Sequence, residues 1–263
     1  MYSLSSSLIT VVACALVHTS SGAGCVVVAA RDALVRVADA SVRIEAKRPT
    51  RFTNCDRLKV ESGQVSACYV TKNGQRTCSD LETGAVLAMA GESDANAADL
   101  FGSSLLAIAK GDAKTKFGQT RHLGDVPGMP FGRVLPEANW LIPIPAGSAN
   151  SIESFSVETI GDPPRNPVVA VVSDGWVRLP TALISGVSYR WRIQNASGAH
   201  TGVFRTAQQS DVLRLGPQID ALRATSKSTE GVAMLISELL MDEGFAYSAY
   251  LEMVRAGLKE PDN

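Results

Sequence analysis

The segment Cys68-Tyr-Val-Thr-Lys-Asn73-Gly74-Gln-Arg-Thr-Cys78 constrains the fold more than any other stretch of the chain. Asn-Gly between strand-forming residues is a strong hairpin signal, and a cysteine at each end leaves few registers open. A two-residue Asn73-Gly74 loop would put the two sulfurs on opposite faces of the ribbon. A three-residue loop with Gly74 in the left-handed conformation instead sets Cys68 opposite Cys78, Tyr69 opposite Thr77 and Val65 opposite Leu81. We expect the three-residue register and a cross-strand disulfide, which for so short a loop stabilises by about 2 to 3 kcal/mol.

A stable disulfide requires an oxidising compartment, and the N-terminus supplies a route to one. Residues 1–30 contain no Asp, Glu, Lys or Arg, and Leu8 to Val17 form an apolar run of ten. That run is shorter than the roughly 20 residues a spanning helix needs. Ser21-Gly22-Ala23 offers the small residues of a signal-peptidase site, so 1–23 reads as an export signal cleaved after Ala23. Two alternatives stay open, an uncleaved anchor from Leu8 to Ala30 and a lipid anchor on Cys25 after Gly22-Ala23-Gly24. Cleavage would remove Cys14 and leave Cys25, Cys55, Cys68 and Cys78, making Cys25 and Cys55 the second expected pair, with free buried thiols as the alternative. The expected location is periplasmic or secreted, or else membrane-anchored and facing the periplasm.

Composition narrows the function classes. The 25 Lys and Arg against 26 Asp and Glu give a net charge of −1, which excludes a bulk electrostatic grip on nucleic acid. With 45% hydrophobic and 19% charged residues the chain is that of a folded protein.

Between Val35 and Leu87 the hydrophobic pattern has period two. Val42 and Ile44 alternate with Arg43 and Glu45, and Leu58 and Val60 with Arg57, Lys59 and Glu61. This predicts a half-buried antiparallel sheet with turns at Glu61-Ser-Gly63, Lys72-Asn-Gly74 and Thr83-Gly84. The series Leu58-x-Val60-x-x-Gly63, the hairpin, then Leu81-x-x-Gly84 resembles the small β domain of bacterial iron-dicitrate sensor (FecR-like) proteins, which would occupy 24–91. Ser93 is a cap for a helix from Asp94 to about Lys110, and the rest of 92–132 reads as a linker carrying Lys114, Lys116 and Arg121.

β character returns over 133–208. Leu183-Ile-Ser-Gly186-Val-Ser-Tyr189-Arg-Trp191-Arg-Ile193, then Asn195-Ala-Ser-Gly198, then Gly202-Val-Phe204-Arg-Thr206, resembles the closing strands of a fibronectin type III-like sandwich. Its physical content is a tyrosine corner. The Tyr189 hydroxyl would bond upstream backbone, Tyr189, Trp191 and Ile193 would fill the core, and Arg190, Arg192 and Gln194 would face water.

The tail, 209–263, is helical. Gly216-Pro217 is placed to start one helix, Ser228 or Thr229 to cap a second, Gly244 to end it, and a third helix should run from Phe245 to about Leu258. Gly244, Ala249, Ala256 and Pro261 fall at spacings similar to a single tetratricopeptide repeat, implying a helical hairpin. One repeat cannot bury both its faces, so it should dock within the chain or lend a groove to a partner.

The inventory for catalysis is thin. His122 and His200 come without ligand spacing, Asp112 and Asp125 carry no weight as a pair, and no nucleophile elbow, phosphate loop or dinucleotide fingerprint occurs. We expect no catalytic, cofactor or metal residues. Arg190, Arg192 and Arg205 are the candidate binding face, a basic stripe for an anionic envelope polymer or protein. Trp140 and Trp176 are candidate stacking platforms, and Asn195-Ala-Ser197 matches a glycosylation sequon that also reads as a turn.

The expected fold is mainly β plus α: antiparallel β modules, a small β domain and an immunoglobulin- or fibronectin type III-like sandwich, with a C-terminal helical hairpin. The expected function is a non-catalytic exported envelope protein that binds a protein partner or acts as a scaffold, without cofactor or nucleic acid, touching membrane only through an N-terminal anchor if one is retained. A membrane-anchored FecR-like regulator and a thiol-dependent enzyme using Cys55 are the alternatives.

Overall fold

The computed structural model describes residues 24–55, 57–71, 73–87, 89, 128–137, 140–144, 152–161, 167–173, 175–195 and 198–259. The export segment expected at 1–23, the helix expected at 94–110, and His122, Asp112 and Asp125 lie outside them. Among the described residues the chain is mainly antiparallel β-sheet, followed by three C-terminal helices.

The first unit holds β1 (Cys25–Val28), β2 (Ala33–Val37), β3 (Ala40–Ile44), β4 (Thr50–Phe52), β5 (Leu58–Ser62), β6 (Gln64–Val70), β7 (Arg76–Glu82) and β8 (Val86–Leu87). They form two four-stranded sheets in the orders β4-β1-β6-β7 and β3-β2-β5-β8. Val27, Val65 and Ala67 from the first sheet meet Val35, Leu58 and Val60 from the second in one buried cluster. The single sheet expected from the alternating pattern is thereby corrected to two facing sheets. The reason lies at Gly63, whose φ of +87° turns the chain out of β5 and into the other sheet rather than into a hairpin. A Cβ there would stand 3.0 Å from that of Ala33, so glycine is required twice over.

The β6–β7 hairpin has the three-residue register: Cys68 opposes Cys78, Tyr69 opposes Thr77, Val65 opposes Leu81, and Gly74 has φ +73°. Both expected disulfides are present, Cys25–Cys55 and Cys68–Cys78. The first occupies the Cys25 sulfur that a lipid anchor would need.

The second unit is a sandwich. Its five-stranded sheet runs β12 (Val168–Val169), β11 (Ile152–Thr159), β15 (Ser188–Asn195), β16 (Gly198–Thr206), β9 (Gly132–Val134), the last pair parallel. The facing sheet is β10 (Leu141–Pro143), β14 (Trp176–Arg178), β13 (Val171–Ser173). The tyrosine corner is formed: the Ile184 backbone N–H donates to the Tyr189 hydroxyl at 2.8 Å. Tyr189, Trp191 and Ile193 are buried and alternate with outward Arg190 and Arg192. Gly202 sits opposite Trp191, and a Cβ there would lie 2.3 Å from the indole, so this glycine is the room the ring occupies. Trp140 is fully buried, which corrects its reading as a stacking platform, and Trp176 is partly buried against the same core.

The helices are α1 (Gln209–Arg223), α2 (Thr229–Asp242) and α3 (Ala246–Arg255). Ser228 caps α2 by accepting from the Gly231 N–H at 3.0 Å, and Gly244 with φ +78° ends the turn before α3. The expected start of the first helix at Gly216-Pro217 is corrected: α1 begins at Gln209 and carries Pro217 inside it. Asp211 supplies the N-terminal signal, accepting from the Gln208 N–H and pairing with Arg133 at 2.7 Å.

The tail joins the two β units. One buried cluster contains Val26, Cys68 and Val70 from the first unit, Phe155, Trp191 and Phe204 from the sandwich, and Met234, Leu235 and Tyr247 from the helices. Strand β1 is buried on both faces for that reason. At one end of α2 the Asp80 carboxylate accepts from Ser66, Ser226 and the Lys227 N–H at 2.7 to 3.0 Å, and at the other Asp242 pairs with Arg76. Gly231 lets the helix lie close, since a Cβ there would meet that of Ser66 at 3.0 Å. On the sandwich side the Tyr247 hydroxyl donates to the Gly128 carbonyl at 3.0 Å and Ser248 accepts from the Leu135 N–H at 2.9 Å.

Candidate functional site

The segment after β9, Leu135-Pro136-Glu137, and the three helices enclose a cleft of about 290 Å³. Helix α1 stands beside the α2–α3 hairpin and buries only Leu215 fully, so the space between them is incompletely filled. Val212, Leu215 and Ile219 of α1 and Ile236 and Leu240 of α2 make an apolar floor. Gly216 also lines the cleft. A side chain before Pro217 would clash with the proline ring in helical backbone, and glycine avoids that.

The wall is charged. Arg255 donates to both carboxylate oxygens of Glu137, at 2.9 and 2.6 Å, and lies 3.6 Å from Glu252. Asp220 pairs with Arg223 at 3.2 Å. Three carboxylates, Glu137, Asp220 and Glu252, thus line the cleft against two guanidiniums, an excess of one negative charge. Desolvation, and then repulsion from Glu137, hold the Glu252 carboxyl above its ordinary value despite the opposing attraction of Arg255. The cleft therefore offers an apolar slot ending in a carboxylate that would be stabilised by another cation.

The arginine stripe expected on the sandwich is assembled. Arg190 faces Val203 across the β15–β16 pair and ion-pairs with Glu158 at 3.0 Å, Arg192 faces Thr201, and Arg205 faces Ser188. All three point outward, and β9 places Arg133 beside Arg205. Arg133 caps the Phe245 ring at 4.5 Å while paired with Asp211.

The four described cysteines are paired with one another in disulfides. Cys25 and Cys55 lie inside the first unit's core, and Cys68 and Cys78 lie against α2, 3.9 and 3.5 Å from the Gly231 carbonyl oxygen. His200 lies on β16 opposite Ile193, and Asn195 closes the β15–β16 pair opposite Gly198. Among the described residues no three His, Cys, Asp or Glu gather as a metal site, and no helix is long and apolar enough to cross a membrane.

The cleft was not foreseen in the sequence. Glu252 and Arg255 show a helical spacing of three, but Glu137 lies 118 residues from Arg255 and no pattern connects them. No protein-family model matches the chain, and no curated protein matches it.

Proposed function

We propose that this chain is an exported, disulfide-cross-linked scaffold protein that binds another protein through the cleft of its helical tail. The observation that carries the reading is the apolar slot walled by three carboxylates and two guanidiniums. Its fitting occupant is a lysine or arginine side chain of the partner, whose aliphatic stem covers Val212 and Ile219 while its charge reaches Glu252. The shared core supports the scaffold part of the reading, because it holds the tail in fixed relation to both β units, while the two disulfides brace the first unit internally. Export is supported by the cysteine pairing, which suits an oxidising compartment, and by the ten-residue apolar run Leu8 to Val17 followed by the small residues Ser21-Gly22-Ala23.

The test places a photo-cross-linking residue at Pro136, which lines the cleft without charge, in the full chain expressed in its source cell. A discrete adduct is expected in the envelope fraction, together with a chain that starts near Gly24 and holds no free thiol. Glu252→Gln should weaken the adduct severalfold without lowering thermal stability, and Ile219→Trp, which fills the slot, should abolish it. An adduct indifferent to both substitutions would contradict the cleft, and a reduced, uncleaved cytoplasmic chain would contradict export.

A further inference from the structure

The outer face of the five-stranded sheet carries a second kind of surface. On adjacent strands Arg190, Arg192 and Arg205 project to solvent around Val203, which is 52% exposed. On the same face Val169, 66% exposed, pairs with Ser156 of β11, which in turn pairs with Arg192. Glu158 neutralises Arg190 and Asp211 neutralises Arg133, while Arg192 and Arg205 face no carboxylate at ion-pair distance among the described residues. The face is thus cationic with exposed apolar side chains set among the charges.

We infer that this face docks on an anionic lipid surface, with Arg192 and Arg205 at the headgroup phosphates and Val203 and Val169 in the interfacial layer. Charge complementarity selects an anionic partner, and each arginine near such a surface adds about fivefold in affinity. The apolar pair selects lipid over a soluble polyanion. Such a polymer would satisfy the guanidiniums and leave Val203 and Val169 in water, whereas the interface takes up both. The inference goes beyond the cleft reading: the cleft lies in the helical tail, so a membrane-docked molecule would still offer it to a partner.

The experiment is co-sedimentation of the full chain, as purified from an exporting host, with vesicles of phosphatidylglycerol and phosphatidylcholine or of phosphatidylcholine alone. Binding should favour the anionic vesicles and weaken as salt rises from about 0.05 M to about 0.5 M. Arg192→Glu with Arg205→Glu should lose about 25-fold or more of that preference. Val203→Ser, which keeps every charge, should weaken anionic binding severalfold. All variants are compared in one background, so any contribution of residues 1–23 is common to them, and an unchanged thermal melt shows that each is folded. Equal binding to both vesicle types, or no binding, overturns the inference. A chain that binds polyphosphate as tightly with serine at 203 as with valine, and vesicles no better than polyphosphate, places a soluble polyanion on this face instead.

Discussion

Single residues decide how closely the layers approach. Gly202 yields its side-chain volume to Trp191, whose indole N–H donates to the Pro130 carbonyl at 2.9 Å. Gly202→Ala should therefore cost about 1 to 3 kcal/mol by overpacking, read as a shift of the urea midpoint with unchanged slope. The cysteines act at the same scale. Cys25 and Cys55 are 30 residues apart, and closing a loop of that length in the unfolded chain is worth about 3.5 kcal/mol. Replacing both by alanine should lower stability by roughly that amount, and the loss should exceed that from opening the 10-residue Cys68–Cys78 loop. These local features were legible in the sequence. The Asn-Gly turn fixes the hairpin register within eleven residues, and Leu183, Gly186 and Tyr189 fix the corner within seven, so neither depends on distant contacts.

At the scale of elements, α1 and α2 behave differently. Pro217 removes one intrahelical donor from α1 and leaves the Leu213 carbonyl without its usual partner. Pro217→Ala should raise stability by about 1 to 3 kcal/mol. The sequence rule misplaced this helix because proline is commonest at a helix start, and the competing signal, Asp211 paired with Arg133 across 78 residues, is tertiary. Helix α2 depends on Asp80. Burial alone would raise that carboxyl, but hydrogen bonds from Ser66, the Lys227 backbone, Ser226 and the Ser228 backbone together hold it below its ordinary value of 3.8. A carboxyl lowered in the folded state contributes its full stabilisation above pH 3.8 and loses it as pH falls through the lowered value. Asp80→Asn should accordingly cost about 1 to 3 kcal/mol near neutral pH, and its difference from the wild type should shrink as the solution is acidified below that range.

For the whole molecule the decisive feature is that two β units, readable separately in the sequence, share a core through the tail. Strand β1 is an unbroken apolar run, Cys25-Val-Val-Val28, which suits burial on both faces, but nothing local says that Val26 and Val28 are covered by a helix more than 200 residues later. The cleft has the same origin, because Glu137 and Arg255 meet only once α3 lies on the sandwich. A cation entering it should bind more tightly as pH rises through the raised value of Glu252, since only the ionised carboxylate attracts it. The claim on which the account rests is that the tail fuses both β units into one body. It is tested most directly by urea unfolding followed at once by tryptophan fluorescence, which reports Trp140, Trp176 and Trp191 of the sandwich, and by hydrogen exchange in β5 and β6 of the first unit. A single shared midpoint is the predicted result; two separated transitions, the sandwich and the first unit melting independently, would contradict it.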